Sequence, residues 1–397
     1  MKLDLHLVSP PGLESILAAE ARGLGLDVGD VEIGSVEAKG DVAALYAANI
    51  HLRTANRVLV RAASFRATAF HELERGARKV EWERWIGPDT AVDVRASCRK
   101  SRLYHSGAVA ERVMEAITRA TGAGDAALVG GSDAEEEGEG EGEGEGEGGQ
   151  LVVARMFHDR CTISVDSSGA LLHRRGYRQA VAKAPLRETI AAGMLLAMGW
   201  EGTGPLLDPF CGSGTIPIEA ALIARRIAPN RRRGEARQFA FAHWPSFDAA
   251  RLSALVGTAV ERELPRAGTS IAGSDRDAGA VEAARANAAR TGVDSDVTFE
   301  VRPISGISPP AADHGLVATN PPYGVRVTGG RDVRDLMARA GAVLRERAAG
   351  WDLALLSPDR ALDAALRIPL EERLVTANGG IRVRLVAGRI RAITPVK

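Results

Sequence analysis

Asp208-Pro209-Phe210-Cys211-Gly212-Ser213-Gly214 is the stretch that decides the fold of this chain. It follows the short apolar run Pro205–Leu207 and precedes Thr215–Arg226, whose apolar spacing predicts a helix. A buried strand that ends in a glycine turn and opens into a helix is typical of a doubly wound parallel sheet, which binds ligands at the carboxyl ends of its strands. Gly212 and Gly214 suit such a turn because the backbone must pass close to the ligand without a Cβ in the way. The stretch therefore predicts a ligand pocket at a strand end.

Helices and strands alternate around this turn from residue 186 onward. The apolar spacing predicts helices at Leu186–Met198, Ala278–Thr291 and Val333–Ala349, and strands at Pro205–Asp208, Ser270–Ser274, Val297–Arg302, Leu316–Thr319 and Asp352–Leu356. A final strand, Ile381–Ala387, is predicted as a hairpin partner at the sheet edge. This alternation predicts a Rossmann-like α/β domain over residues 169–397.

Residues 1–168 contain shorter elements and predict a small α+β region. The predicted strands are Leu3–Val8, short strands near Val31–Val36, Arg57–Ala63, Thr90–Ala96, Leu151–Phe157 and Cys161–Asp166, and the predicted helices include Gly12–Leu24, one near Val42–Ala48 and Ser106–Ala120. An insert at about residues 132–149 is dominated by alternating Gly and Glu and has no residue able to form a core, so a disordered loop is predicted there. This insert is either a passive surface insertion or a competitor of nucleic acid for a basic surface.

The formal net charge of zero conceals a basic body. The chain has 51 Lys plus Arg and 51 Asp plus Glu, but nine of the acids lie between Asp133 and Glu147 with no basic residue among them. Removing these nine leaves 42 acids against 51 bases, a charge of about +9 on the rest of the chain. A body of this sign suits a polyanion such as nucleic acid, although an arginine-rich composition can also reflect codon bias alone.

Composition argues against several other classes of protein. No apolar stretch approaches the roughly 18–20 residues that a membrane helix needs, and the N-terminus lacks the apolar region of a signal peptide. The three cysteines, Cys98, Cys161 and Cys211, are far apart, which disfavours a disulfide framework or a zinc cluster. We therefore expect a cytoplasmic protein with no membrane and no metal; the sequence leaves its oligomeric state open.

Two carboxylates stand at predicted strand ends, where an adenosine-containing cofactor would bind. Asp208 is placed to hold the ammonium of the cofactor's amino-acid part, and Asp275 to accept both ribose hydroxyls. Asp277 is the alternative for the ribose but suits a helix cap better. A dinucleotide fits less well, because Pro217 stands where the Rossmann fingerprint has its third Gly or Ala. The predicted cofactor-binding residues are Asp208, Pro209, Gly212, Gly214 and Asp275.

Asn320-Pro321-Pro322-Tyr323 follows another predicted strand of the same domain. The Asn320 side-chain oxygen and the Pro321 carbonyl can each accept one N–H of a base amine and so orient its lone pair. The two prolines stiffen the loop, and Tyr323 offers a ring on which a base can stack. With the cofactor pocket, this loop predicts methyl transfer from S-adenosylmethionine (SAM) to an exocyclic amine of a nucleobase, and these four residues are the predicted catalytic residues.

At these residues the chain resembles the THUMP-domain class I RNA methyltransferases, most closely the bacterial large-subunit ribosomal RNA guanine-N2 methyltransferases of the RlmL type. The likeness covers nearly the whole chain, and the segments that carry it are Val80–Trp82, Thr90–Ala96, Ser101–Val113, His173–Arg178, Ala184–Thr189, Asp208–Gly214, Ala228–Pro229, Gly273–Asp275 and Asn320–Tyr323. The resemblance implies a ferredoxin-like and THUMP RNA-binding region over residues 1–168 and SAM as the cofactor. The chain departs from the family at Pro303, where an acid that recognises adenine is expected; backbone groups or Glu300 are the alternatives.

Three basic clusters are candidate RNA contacts. They are Lys100, Arg102 and Tyr104; Arg174 and Arg175; and Arg231, Arg232 and Arg233, the last with Phe239, Phe241 and Trp244 nearby. Guanidinium groups fit phosphates and stack on unpaired bases, whereas a solvated charged surface is the alternative for the first and third clusters. Arg174 and Arg175 could instead bridge the two halves of the chain.

Several activities remain open from the sequence. The favoured one is methyl transfer to guanine N2 in RNA, with 23S ribosomal RNA ahead of transfer RNA as the substrate. A DNA adenine-N6 methyltransferase would use the same loop. A catalytically inactive RNA-binding protein would keep the fold without the chemistry.

Overall fold

The computed structural model describes residues 2–123, 149–178, 186–231, 238–322 and 330–392. The chain divides into two compact units. The first consists of residues 1–9, 18–172 and 237–256, and the second of residues 10–17, 173–236 and 257–397. Residues 237–256, which lie inside the predicted catalytic domain, thus belong to the first unit.

Each unit is built on one seven-stranded sheet. The strands of the first sheet are β1 (Leu3–Val8), β2 (Asp27–Glu32), β3 (Ser35–Gly40), β4 (Arg57–Arg66), β5 (Ala91–Arg99), β6 (Gly149–Phe157) and β7 (Arg160–Asp166). Those of the second are β8 (Leu206–Asp208), β9 (Ile271–Asp275), β10 (Val297–Val301), β11 (Leu316–Thr319), β12 (Asp352–Ser357), β13 (Glu371–Asn378) and β14 (Ile381–Arg389). The α-helices are α1 (Glu14–Gly23), α2 (Val42–His51), α3 (Phe70–Ala77), α4 (Ser106–Thr121), α5 (Glu188–Ala197), α6 (Thr215–Ala224), α7 (Ala249–Glu261), α8 (Ala278–Thr291), α9 (Gly330–Arg347) and α10 (Arg360–Ala365).

The first sheet has the strand order β2-β3-β1-β4-β7-β6-β5, in which only β5 and β6 pair in parallel. Side chains alternate along its strands, so that Leu3, Leu5 and Leu7 of β1 are buried on one face. The short strands predicted near Val31–Val36 are β2 and β3, which meet there in a hairpin. Its two-residue turn ends at Gly34, whose φ of +80° suits a tight turn.

The aromatic residues near the third basic cluster are core residues of the first unit, not an exposed surface. Phe239, Phe241 and Trp244 are all buried. Phe241 stacks on Tyr46 with ring centroids 4.3 Å apart, and the Trp244 indole donates to Gln150 Oε1 over 2.7 Å. These three aromatic side chains are therefore not available to stack on RNA bases beside the third cluster.

The second sheet has the strand order β10-β9-β8-β11-β12-β14-β13, with β8 to β12 parallel. Leu206 and Leu207 of the three-residue strand β8 belong to separate apolar clusters on the two faces of the sheet, as expected when helices cover both faces. The chain order reverses between β8 and β11, and such a switch point is where doubly wound sheets bind ligands. The predicted α/β fold class, a Rossmann-like domain preceded by an α+β region, is confirmed.

The end of this sheet differs from the prediction. The strand predicted at Ile381–Ala387 is β14, but it pairs with β12 on one side and β13 on the other, so β13 is the edge strand. Sequence reasoning missed β13 because it opens with three exposed charged residues, Glu371, Glu372 and Arg373.

Among the described residues, no helix is long and apolar enough to cross a membrane.

Candidate active site

The glycine turn between β8 and α6 contains two glycines with different surroundings. Gly214 has φ +85°, and a Cβ on it would lie 2.9 Å from both Ala284 Cβ and Phe299 Cζ. Gly212 has φ +51°, and a Cβ on it would meet no atom of the described residues within 4 Å. Gly214 is thus required by packing against α8 and β10, whereas Gly212 borders open space where a ligand can approach the backbone.

Two long-range hydrogen bonds hold this turn in place. The Cys211 amide donates to the Ser274 carbonyl over 3.0 Å, and Asn287 Nδ2 of helix α8 donates to the Ser213 carbonyl over 2.9 Å. Asn287 is buried, and sequence reasoning missed it. Asn287 is a single amide in the alanine-rich helix α8, and this pattern could have indicated a specific role for it.

Asp208 ends strand β8 as a buried carboxylate. Its Oδ1 accepts a hydrogen bond from Thr319 Oγ1 at 2.7 Å and one from the Phe210 amide at 3.1 Å. Burial raises the pKa of Asp208 to about 7, the nearby Asp275 charge adds to this shift, and the two hydrogen bonds oppose it. A cation placed beside Asp208 would therefore favour its ionised form. Thr319 was not predicted as a site residue.

Asp275 ends strand β9, beside β8, and is half-buried. Its Oδ2 accepts the Gly212 amide at 3.0 Å, and its Oδ1 accepts the Asp277 amide at 3.0 Å. Each carboxylate oxygen keeps a further lone pair, so the group can still accept hydroxyls of a ligand. Asp277 caps helix α8 through the amides of Gly279 and Ala280, as its position predicted.

Asn320 follows β11, the other neighbour of β8, and carries an acceptor to which no described residue donates. Its Oδ1 is buried, and no described residue donates a hydrogen bond to it. Buried polar atoms almost always have partners, and an exception calls for a ligand or water. Pro321 is buried and Pro322 half-buried, so this end of the loop is packed. Tyr323, the fourth predicted catalytic residue, lies outside the described residues.

The adenine-recognising position remains a prediction. Glu300 forms a two-point ion pair with Arg302, with Nε–Oε2 at 2.9 Å and Nη2–Oε1 at 3.1 Å. Pro303 lies directly before a short 3-10 turn, Ile304–Gly306. Glu300 can accept a hydrogen bond from adenine only while it also pairs with Arg302. Backbone groups are therefore the stronger alternative for recognising adenine.

The predicted RNA-binding residues separate into exposed and buried ones. Lys100, Arg102, Tyr104 and Arg174 are exposed, whereas Arg232 and Arg233 lie outside the described residues. Arg175 is a correction to the prediction: its guanidinium is buried against Glu219, with Nε–Oε1 at 3.5 Å, and donates to Asn230. Arg231 is mostly buried and donates to Glu263 over 2.7 Å. Both side chains stabilise the second unit from within.

The open cradle over Gly212, the carboxylates at two strand ends and the unsatisfied Asn320 oxygen fit an adenosine-containing sulfonium cofactor. No cluster of three or more potential metal ligands occurs in the parts of the chain that the structure describes. The fold and site define a Rossmann-like, SAM-dependent methyltransferase.

Two solved structures share this fold over almost the whole chain. One is SMU.472, "a putative methyltransferase complexed with SAH" (TM-score 0.84, 27% identity, 99% of both chains), and the other a "predicted N6-adenine-specific DNA methylase" from Listeria monocytogenes (TM-score 0.81, 29% identity, 97% and 96% of the two chains).

Sequence comparison identifies the family. Residues 175–385 match the family described as "RMKL-like, methyltransferase domain", and residues 4–59 match the "RlmL ferredoxin-like domain". The chain belongs to this family of RlmL-like methyltransferases, as its motifs predicted, and SAM is its cofactor.

Curated relatives carry related names. The "Putative RNA methyltransferase slr0064" of Synechocystis is 32% identical over 375 residues, 94% of each chain. The "Ribosomal RNA large subunit methyltransferase K/L" enzymes of Desulfotalea psychrophila and Syntrophotalea carbinolica are 31% and 32% identical over 95% and 97% of this chain. This chain spans about half of their length, 51% and 53% respectively.

Proposed function

We propose that this chain transfers the methyl group of SAM to the exocyclic N2 amine of a guanine in RNA, with 23S ribosomal RNA as the substrate. The observation that carries the proposal is the buried Asn320 Oδ1 that no described residue satisfies. An N–H of a base amine would supply the donor that this acceptor at the end of β11 lacks among the described residues. The names of the two K/L relatives support ribosomal RNA as the substrate.

The chain's own groups act on the amine and on the cofactor. Asp208 and Asp275 would hold the cofactor's ammonium and ribose, and Gly212 leaves room for it. SAM supplies an electrophilic methyl group. Asn320 Oδ1 and the Pro321 carbonyl would each accept one N–H of guanine N2, so that the nitrogen lone pair forms the new N–C bond as the S–C bond breaks. The methylated nitrogen then loses its proton to water, and S-adenosylhomocysteine leaves.

The substrate is tested by methyl transfer in vitro. The full chain is incubated with isotope-labelled SAM and, separately, with ribosomal RNA from a strain that lacks the gene, with transfer RNA from the same strain and with unmethylated DNA. We expect labelled N2-methylguanosine in digests of the ribosomal RNA. The Asn320→Ala variant, with intact SAM binding, is the matched control for background transfer.

The competing activities give different products. N2-methylguanosine in transfer RNA alone would replace the proposed substrate. N6-methyladenine in DNA would replace the proposed reaction and would agree with the name of the Listeria structure. Absence of any transfer by a chain that binds SAM would leave an inactive RNA-binding protein.

The raised pKa of Asp208 predicts a pH dependence of SAM binding. Below about pH 7 the carboxyl is protonated in the ligand-free chain, so binding a cationic ammonium must first release this proton. SAM affinity should therefore rise with pH and should be about fivefold weaker at pH 6 than at pH 7. Isothermal titration calorimetry across this range measures the effect.

The matched control is Asp208→Asn, which keeps an acceptor oxygen for Thr319 and the Phe210 amide. This variant should bind SAM weakly, and its affinity should not change between pH 6 and pH 7. Relative to Asp208→Asn, the ligand-free wild type should also lose stability as pH rises from 3.8 towards 7, because the folded Asp208 carboxyl retains a proton that the unfolded chain releases. If the wild type and Asp208→Asn show the same pH dependence of SAM binding, another group causes that dependence.

A further inference from the structure

The outer face of the first sheet carries a row of arginines around one exposed phenylalanine. Arg66 of β4 is paired in register with Arg160 of β7, Arg160 with Phe157 of β6, and Phe157 with Arg99 of β5. Residues directly opposite one another on neighbouring strands point to the same face, with Cβ atoms about 5 Å apart. The four side chains therefore form a continuous line across four strands.

All members of this row face solvent. Phe157 is 41% exposed, and its three arginine neighbours are exposed, whereas the intervening residues Met156 and Cys161 are buried on the opposite face. Arg155, two residues before Phe157, points to the same face, and its Cζ lies 5.5 Å from the centre of the Phe157 ring. We call Arg66, Arg99, Arg155, Arg160 and Phe157 the arginine face.

Among the described residues, the positive charge of this face has no acidic partner. In the described ranges no carboxylate lies within ion-pair distance of its four arginines; Arg160 donates instead to the Ser64 hydroxyl at 3.4 Å. Other arginines of the same unit do have acidic partners, such as Arg61 with Glu37 and Arg95 with Asp93. Four unneutralised guanidinium groups beside an exposed ring match a polyanion that also presents flat apolar surfaces.

The end of this face is held rigidly. The β6–β7 turn places two non-glycine residues, His158 and Asp159, at positive φ of +49° and +59°. Asp159 Oδ1 accepts the Arg102 amide at 2.8 Å, and the Asp159 amide donates to Ser101 Oγ at 3.1 Å. Such left-handed residues persist only where surrounding contacts hold them. Little ordering of Phe157 is therefore needed when a ligand binds.

We propose that the arginine face binds a single-stranded segment of the RNA substrate, with one unpaired base stacked on Phe157 and neighbouring phosphates bound by Arg66, Arg99 and Arg160. The identity of the partner rests on the proposed function. Single-stranded RNA fits better than a duplex, because the faces of paired bases are covered by their neighbours in the helix and only unpaired bases can stack on an exposed ring.

The test measures binding of a short, unstructured, fluorescein-labelled RNA to the full chain by fluorescence anisotropy. Phe157→Ala should weaken binding about fivefold or more, the lower range for loss of one stacked base. Phe157→Tyr should keep wild-type affinity, whereas Phe157→Leu should not. Replacing Arg66, Arg99 and Arg160 together by glutamine should lower the slope of log affinity against log salt by about 2.

Two variants outside the face serve as matched controls. Ile33→Ala removes an apolar side chain that is 89% exposed, and Arg119→Gln removes an exposed arginine of helix α4. Neither should change RNA affinity, and all variants should bind SAM as the wild type does. Wild-type RNA affinity in Phe157→Ala, or equal weakening by the control variants, would overturn the proposal.

The outcomes also separate this inference from the proposed function. If the Phe157 variants weaken RNA binding but no N2-methylguanosine forms, the arginine face stands and the assigned reaction fails. If N2-methylguanosine forms and the Phe157 variants bind RNA normally, the face is wrong and the reaction stands.

Discussion

Replacing Asn320 by alanine should lower kcat about 10²- to 10³-fold while leaving SAM affinity unchanged, the range found when one fixed hydrogen-bonding group of a reacting centre is removed. The side-chain oxygen of Asn320 is buried at the end of β11, and no described residue donates to it. Its loss therefore removes no hydrogen bond within the described part of the chain. It removes an acceptor for the base amine, whose lone pair would no longer be oriented.

The measurement is single-turnover methyl transfer to RNA, with SAM binding measured separately by calorimetry. Asn320→Asp is the companion variant, because it restores an acceptor oxygen of the same reach, and it should recover part of the rate that alanine loses. A wild-type rate in Asn320→Ala would remove Asn320 from the reaction. A parallel loss of SAM affinity would instead assign it to the cofactor pocket.

Local sequence patterns were sufficient for most of the catalytic sheet. Leu316–Thr319 and Ala278–Thr291 have the predicted bounds, because an apolar run and a helical repeat each begin and end at clear polar residues. The very short strand β8 was predicted only because it precedes the glycine turn. Strand β13 was missed because exposed charges on an edge strand resemble a loop.

Contacts between distant residues could not be predicted from such patterns. The hydrogen bond from Thr319 to Asp208 joins residues 111 positions apart, and no local spacing encodes it. Phe241 and Arg175 illustrate the same limit, because an aromatic or arginine side chain has the same neighbours in sequence whether it is exposed or buried. Their partners, Tyr46 and Glu219, lie on other elements and decide the outcome.

Gly212 and Gly214 should respond differently to substitution, because their surroundings differ although the sequence presents them as equivalent turn glycines. Gly214→Ala should destabilise the fold by about 2–5 kcal/mol, the combined cost of left-handed backbone and of overpacking against Ala284 and Phe299. Gly212→Ala should cost only about 1 kcal/mol for its backbone, since its Cβ meets no atom of the described residues within 4 Å. Urea unfolding of the ligand-free variants measures both.

Gly212→Ala, the variant that loses less stability, should lose more SAM affinity. The added Cβ of Gly212→Ala would occupy the open space over the turn, so SAM affinity should fall about tenfold or more although the chain stays folded. Gly204→Ala is the matched control, because its Cβ would also meet nothing within 4 Å and it lies before β8, away from the turn; it should change neither quantity. If Gly212→Ala binds SAM as tightly as Gly204→Ala does, the cofactor does not lie over Gly212. Asp208 and Asp275 would then have to bind the cofactor from another side of the turn.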